Sequence, residues 1–162
     1  MPFERARFDV VFTCAVLEHV PHLLELLGEV RRVLRPGGRA VHVVPAVAWR
    51  FWTLVTHGPV TVRQIARSGR LRDLASGARQ LLAPHGEYRS SLHELVAWRR
   101  SQWKRTFERA GFTVESVDGT GIYDSGNALF PALSVAARTR LAPVLGSACV
   151  IFSTRDAAAA AG

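Results

Sequence analysis

Lysine is nearly absent from this chain: of its 21 basic side chains only Lys104 is lysine, and the rest are arginine. Chemistry does not demand such a ratio. A G+C-rich coding sequence produces it, because arginine and alanine codons are rich in G and C and lysine codons are not. The net charge of +8 is therefore weak evidence for an anionic partner. Apart from a loose concentration over residues 63–79 the arginines are spread along the chain, which argues against nucleic acid as the partner. Cysteine is scarce as well. Cys14 and Cys149 lie far apart in apolar, strand-like surroundings, so there is no disulfide framework to read. With no Cys-x-x-Cys and no His/Cys pair at ligand spacing, the sequence assigns no metal-ligand set. The two thiols are expected to be buried, in a reducing compartment. The first seven residues lack the apolar core of a signal peptide, and no apolar run approaches the ~20 residues of a membrane span. A cytoplasmic protein without a membrane partner is expected.

What is present is an ordinary globular balance, 48% hydrophobic and 21% charged, in 162 residues, enough for one domain with a sizeable core. The most legible part runs over residues 8–45. Phe8-Asp-Val-Val-Phe-Thr13 is a nearly continuous apolar run and reads as a strand covered on both faces. Pro21 suits a first helical position. Leu23, Leu27, Val30 and Leu34 then follow at i, i+4, i+7 and i+11, one apolar stripe of a helix. Glu25 and Glu29 precede Arg31, Arg32 and Arg35, complementing the helix dipole, and Pro36-Gly37-Gly38 is the expected stop. Residues 39–45 return as a second strand. This strand–helix–strand pattern is a βαβ unit, which carries its chemistry in the loops at the carboxyl ends of its strands, here Cys14 to His19 and Pro45 to Arg50.

Farther along, residues 46–90 read as a helical lid or insertion, with helical patterns near 62–68 and 70–83. Ser91 and Glu94 have capping-box spacing for a helix ending before Gly111, with Leu92, Val96, Trp103, Phe107 and Ala110 on its buried face. A strand over 112–117, a glycine-rich loop to Gly126, a mainly helical stretch over 127–145 and a closing strand over 148–154 complete the reading. Residues 157–162 are expected to be a disordered tail. The glycines at 119, 121 and 126 lack Gly-x-Gly-x-x-Gly spacing and read as a loop.

The ordered set Phe8-Asp-Val-Val-Phe12, Val16-Leu-Glu-His-Val-Pro21, Glu29-Val-Arg-Arg-Val-Leu-Arg-Pro-Gly-Gly38, the strand to Pro45 and Phe107-Glu-Arg-Ala-Gly-Phe112 resembles the carboxyl-terminal half of a class I S-adenosylmethionine-dependent methyltransferase, type 11-like. The resemblance implies an α/β fold, a partial Rossmann-like methyltransferase sheet. Its four strands form a mixed sheet in the order first, second, fourth, third, three parallel and the last antiparallel, with flanking helices and a helical insertion. The family's Gly-x-Gly loop and the acid that holds the cofactor ribose have no counterpart in the sequence. The expectation is a single truncated domain over 1–156, with Met1 internal to a longer protein and the strand over 8–13 exposed and able to self-associate.

By resemblance, Cys14, Ala15 and Val16 would line the cofactor, although a plain strand-to-helix turn would look the same. His19 could take a proton from an acceptor hydroxyl or amine, and Glu18 could bind a metal or polarise it. A bracing role for both at the next helix is the plainer reading. Trp49, Arg50 and Trp52 follow the second strand, where an acceptor pocket is expected, and could equally anchor the lid. His42 reads as a packed histidine; His57, His85 and His93, in or beside the insertion, could face an acceptor, with a surface position the plainer reading. The implied activity is methyl transfer from S-adenosylmethionine to a small-molecule acceptor. The alternative is a non-catalytic protein-interaction module or inactive fragment derived from such an enzyme.

Overall fold

Alternating apolar and β-branched residues build the sheet that organises the computed structural model, which describes residues 1–68, 79, 83–125 and 133–159. Among these, β1 (Phe8–Cys14), β2 (Leu34–Pro45), β3 (Phe112–Gly119) and β4 (Cys149–Asp156) form one sheet in the order β1-β2-β4-β3. β1 runs parallel to β2, and β4 is antiparallel to both of its neighbours, β2 and β3. That is the expected mixed sheet. The helices are α1 (Leu23–Val33), α2 (Val47–Ser68), α3 (Ser91–Ala97), α4 (Arg100–Arg109) and α5 (Val135–Leu145).

Register fixes what faces the core. Ala40, His42 and Val44 of β2 and Val150, Phe152 and Thr154 of β4 alternate inward and are all buried. α1 contributes Leu27, Val30 and Val33, and α4 contributes Trp103 and Phe107, with Trp98 closing the cluster from the break between α3 and α4.

Several local expectations require correction. α1 begins at Leu23, with Pro21 in the preceding turn, and ends at Val33. Arg35-Pro36-Gly37-Gly38 lies inside β2, whose pairing with β1 is irregular between Phe8 and Val10. The arginine is outside the helix and pairs instead with Asp9 across the two strands at 2.7 Å. The helix expected from Ser91 to Ala110 is two. Ser90, not Ser91, caps α3 by accepting from the His93 amide at 3.2 Å, while Glu94 turns its carboxylate elsewhere. Leu92 and Val96 are consequently exposed, and Trp103 and Phe107 carry the buried face. The pattern at 62–68 belongs to the 22-residue α2, in which Pro59 is tolerated. Nearly all of 70–83 lies outside the described residues, as does 126–132. α5 accordingly begins at Val135. Ala157–Ala159 form a 3-10 turn, and residues 160–162 of the expected tail lie outside the described residues.

β1 pairs only with β2 among the described residues. Its Val10 and Phe12 are 57% and 63% exposed, so the strand is not covered on both faces. It leaves a sheet edge with free backbone groups and apolar side chains in water. No described helix is long and apolar enough to cross a membrane.

Gly111 shows how tightly the far end is packed. It stops α4 with φ +84°, and a Cβ there would lie 2.3 Å from the Arg31 guanidinium. Arg31 needs that space to donate to the Ala110 carbonyl at 3.2 Å and to Asp156 at 2.9 Å, tying α1 to the end of α4 and to β4.

Candidate functional site

The carboxyl ends of β1 and β2 open side by side, because parallel pairing brings Cys14 level with Val43. The chain leaves β1 through Ala15, whose φ of +50° is a left-handed conformation that L residues adopt at a cost. The Ala15 amide donates to the Val43 carbonyl at 3.0 Å, which fixes the turn. A 3-10 turn, Leu17–His19, follows and is anchored by the buried Leu17. That anchoring sends Glu18 inward, only 3% exposed, and His19 outward. Their side chains approach to 3.9 Å between Glu18 Oε1 and His19 Nε2.

A second segment folds over this turn. The Glu87 amide donates to the Glu18 carbonyl at 2.9 Å, and Gly86 sits so close that a Cβ would lie 2.2 Å from that carbonyl oxygen. Glycine is required there by contact, not by dihedral angle. The close approach brings the His85 ring to 5.1 Å from His19 and 4.9 Å from Trp49. Burial, and then the nearby His19, pushes the His85 imidazole below its ordinary value, with Glu94 and Glu18 opposing.

Glu94 holds the segment in place. Its Oε1 accepts from the amides of His85 and Gly86, and its Oε2 lies 2.8 Å from Nε of Arg50. Both charges are buried. Arg50 also donates to the Ala83 carbonyl at 2.8 Å. Helix α2, the 83–87 segment and α3 are thus joined through one ion pair.

A cavity of about 170 Å³ lies between these parts, lined by Ala15, Glu18, Pro45, Trp49, His85 and Cys149 among others. Trp49 donates its indole N–H to Asp124 at 3.3 Å, and Asp124 is paired with Arg138 of α5. Cys149 is half-buried, and burial, reinforced by Cys14, pushes its thiol up to about 11. It is a neutral wall. Cys14, read as a buried thiol from the sequence, is exposed.

Of the residues singled out in the sequence, Ala15, Glu18 and Trp49 line the cavity together, and His19 stands beside Glu18 and His85. Cys14 and Val16 flank Ala15 on the exposed side of the turn. Arg50 faces Glu94, and Trp52 donates to the Leu145 carbonyl at 2.8 Å, so both side chains brace α2. Sequence reasoning gave Glu94 only a capping role and left His85 as a surface residue that could face an acceptor. The Pro84-His85-Gly86 turn was the available signal, and nothing in the spacing linked it to His19, which lies far away in the chain.

A family model described as a methyltransferase domain matches residues 2–117. The Caenorhabditis elegans sterol 4-C-methyltransferase strm-1 is 42% identical over 41 residues, which are 25% of this chain and 12% of that relative. Among solved structures, an S-adenosylmethionine-dependent methyltransferase from Mesorhizobium loti matches with a TM-score of 0.51 at 17% identity, over 96% of this chain and 64% of that one. The complex between the Haloferax volcanii Trm112 methyltransferase activator and a candidate methyltransferase gives 0.52 at 14% identity, over 95% and 56%. The chain spans an eighth of the sterol enzyme and less than two thirds of either structure. These likenesses carry the fold, and the family match over residues 2–117 carries the assignment: the chain belongs to the methyltransferase-domain family.

Proposed function

We propose that the chain takes part in transferring a methyl group from S-adenosylmethionine to a small-molecule acceptor, in the cytoplasm, at the carboxyl ends of β1 and β2. The observation that carries this reading is the convergence, inside a methyltransferase-family segment, of the buried Glu18 carboxylate, the His85 imidazole and the Trp49 indole on one cavity, with His19 beside Glu18 and His85. The cofactor supplies a methyl group on a sulfonium centre. Cys14, Ala15 and Val16 fit one wall of its site in kind, since the turn at Ala15 presents backbone with no long side chain. The cavity of about 170 Å³ is below the 300–1,000 Å³ usual for ligand pockets, so these residues would hold the cofactor on one side only.

In this reading Trp49 is the apolar wall that orients an acceptor. Glu18 and His19 activate the acceptor's hydroxyl or amine by taking charge of its proton as the methyl group arrives. Arg50 and Trp52, expected at the acceptor, act through the positions of the 83–87 segment and α2.

Screening hydroxylated and amino aromatic acceptors for S-adenosylhomocysteine release, at millimolar S-adenosylmethionine, tests the proposal. With an acceptor in hand, His19→Gln lowers kcat by about 10²–10⁴ and leaves the cofactor's apparent affinity unchanged. An unchanged kcat would remove His19 from the chemistry.

A further inference from the structure

We infer that Arg5, Arg31, Arg32 and Arg35 form a binding site for a phosphate group, carried by inorganic phosphate or by a small organic phosphate. All four line one cavity of about 320 Å³, at the lower end of the range for ligand pockets. It opens at the amino ends of β1 and β2, beside Asp156, the last residue of the antiparallel β4. The candidate site after β1 lies at the other end of these strands, about 20 Å away along the seven residues of β1. The inference therefore does not rest on the methyl-transfer reading.

The guanidiniums are positioned before any ligand arrives. Arg32 is held by Glu29 through hydrogen bonds of 2.8 and 2.9 Å, and Arg35 by both oxygens of Asp9 at 2.7 Å. Arg31 donates to the Ala110 carbonyl and to Asp156. A guanidinium carries five N–H donors, so each of these arginines is oriented by its present partners with donors to spare. The arm that carries Arg5 is fixed as well. Ala6 takes a left-handed φ of +54°, and the Ala6 and Arg7 amides donate to the carbonyls of Arg32 and Val33 at 3.0 and 2.8 Å. Those bonds satisfy two of the last carbonyls of α1, which would otherwise turn the negative end of the helix dipole toward an anion.

Charge and unmet hydrogen bonding point to the same ligand. Four of the lining residues are cationic and one, Asp156, is anionic. Even with Glu29 and Asp9 added, four positive charges face three negative ones. Arg5 is exposed and enters no ion pair among the described residues. Arg31 Nε is out of water with no hydrogen-bond partner among the described residues. A phosphate group accepts from several guanidinium forks at once and adds the negative charge that the cluster lacks. Ala6, Leu34 and Pro36 give the rest of the lining an apolar side, against which the organic part of a phosphate ester would rest.

The test is calorimetric titration of inorganic phosphate, and separately of phenyl phosphate, into the 162-residue chain at physiological ionic strength, where diffuse attraction to exposed arginines is screened beyond about 8 Å. Saturable uptake of one phosphate with a Kd of about 1 mM or tighter is expected, together with a higher melting temperature at saturation. Phenyl phosphate binding about tenfold tighter assigns the site to organic phosphates, and equal affinity assigns it to the free ion. Arg5→Gln breaks no ion pair among the described residues, so it should keep the wild-type melt without phosphate while weakening uptake about tenfold. Arg63→Gln, at an exposed arginine of α2, should leave uptake unchanged. Uptake that does not saturate, acetate bound as tightly as phosphate, or wild-type affinity in Arg5→Gln overturns the inference. None of these results bears on methyl transfer, which the acceptor screen tests separately.

Discussion

Arg50→Met is expected to cost about 3–5 kcal/mol of unfolding free energy, because it strands Glu94 as an unpaired buried charge. The pair lies 2.8 Å apart with both side chains out of water. Burial pushes the Arg50 guanidinium downward, while Glu94 opposes that shift. Among the described residues, removing the arginine leaves the carboxylate only the His85 and Gly86 amides, and it removes the donor to Ala83. Urea unfolding reads the loss directly. The double variant Arg50→Met/Glu94→Leu should recover part of it and no more, since those amides then lose their acceptor. An Arg50→Met chain as stable as wild type would show that the ion pair does not hold the segment. Such a result would favour the acceptor role expected of Arg50 from its place in the sequence.

The second large effect is a loss of stability in mild acid, from His42. This side chain is fully buried in β2, stacked 4.7 Å from Phe107 and hydrogen-bonded through Nδ1 to the Thr13 hydroxyl at 2.8 Å. Burial lowers its pKa from 6.5 to about 4. The unfolded chain therefore takes up a proton as pH falls below 6.5, while the native state refuses it until about 4. The contribution is fully present above 6.5 and is lost as pH falls toward 4, in total about 3 kcal/mol at about 1.4 kcal/mol per pH unit. Unfolding curves taken from pH 7 to 4 should slope accordingly in the wild type, and His42→Leu should flatten the slope. A slope that survives His42→Leu would assign the titration to another group, and His85, whose pKa is also lowered, is the next candidate.

Both effects arise from contacts that differ in how far the sequence discloses them. Apolar runs, the alternation over residues 112–117 and period-3.6 patterning located every described strand and α1, because burial writes itself into local spacing. Boundaries slipped where a local signal served a distant partner. Glu94 has capping-box spacing from Ser91, yet its carboxylate satisfies Arg50 and two amides across the site. Arg35-Pro-Gly-Gly38 reads as a helix stop, yet it enters β2, where Arg35 pairs with Asp9. The candidate site was legible on its β1 side and at Trp49, just past β2. Glu18 and His19 stand together in the chain, whereas His85 reaches them through the fold of the insertion and the close approach of Gly86. Sequence spacing cannot encode a contact of that kind without knowledge of the fold.

The central claim is that the turn after β1 faces the methyl donor, and titrating the ¹⁵N-labelled chain with S-adenosylmethionine tests it most directly. The account predicts amide shifts concentrated at Cys14, Ala15, Val16, Glu18 and His19, with an affinity no tighter than about 1 mM because one wall of contacts holds the ligand. Shifts confined to other parts of the sheet, no shifts at saturating concentrations, or micromolar affinity would contradict it.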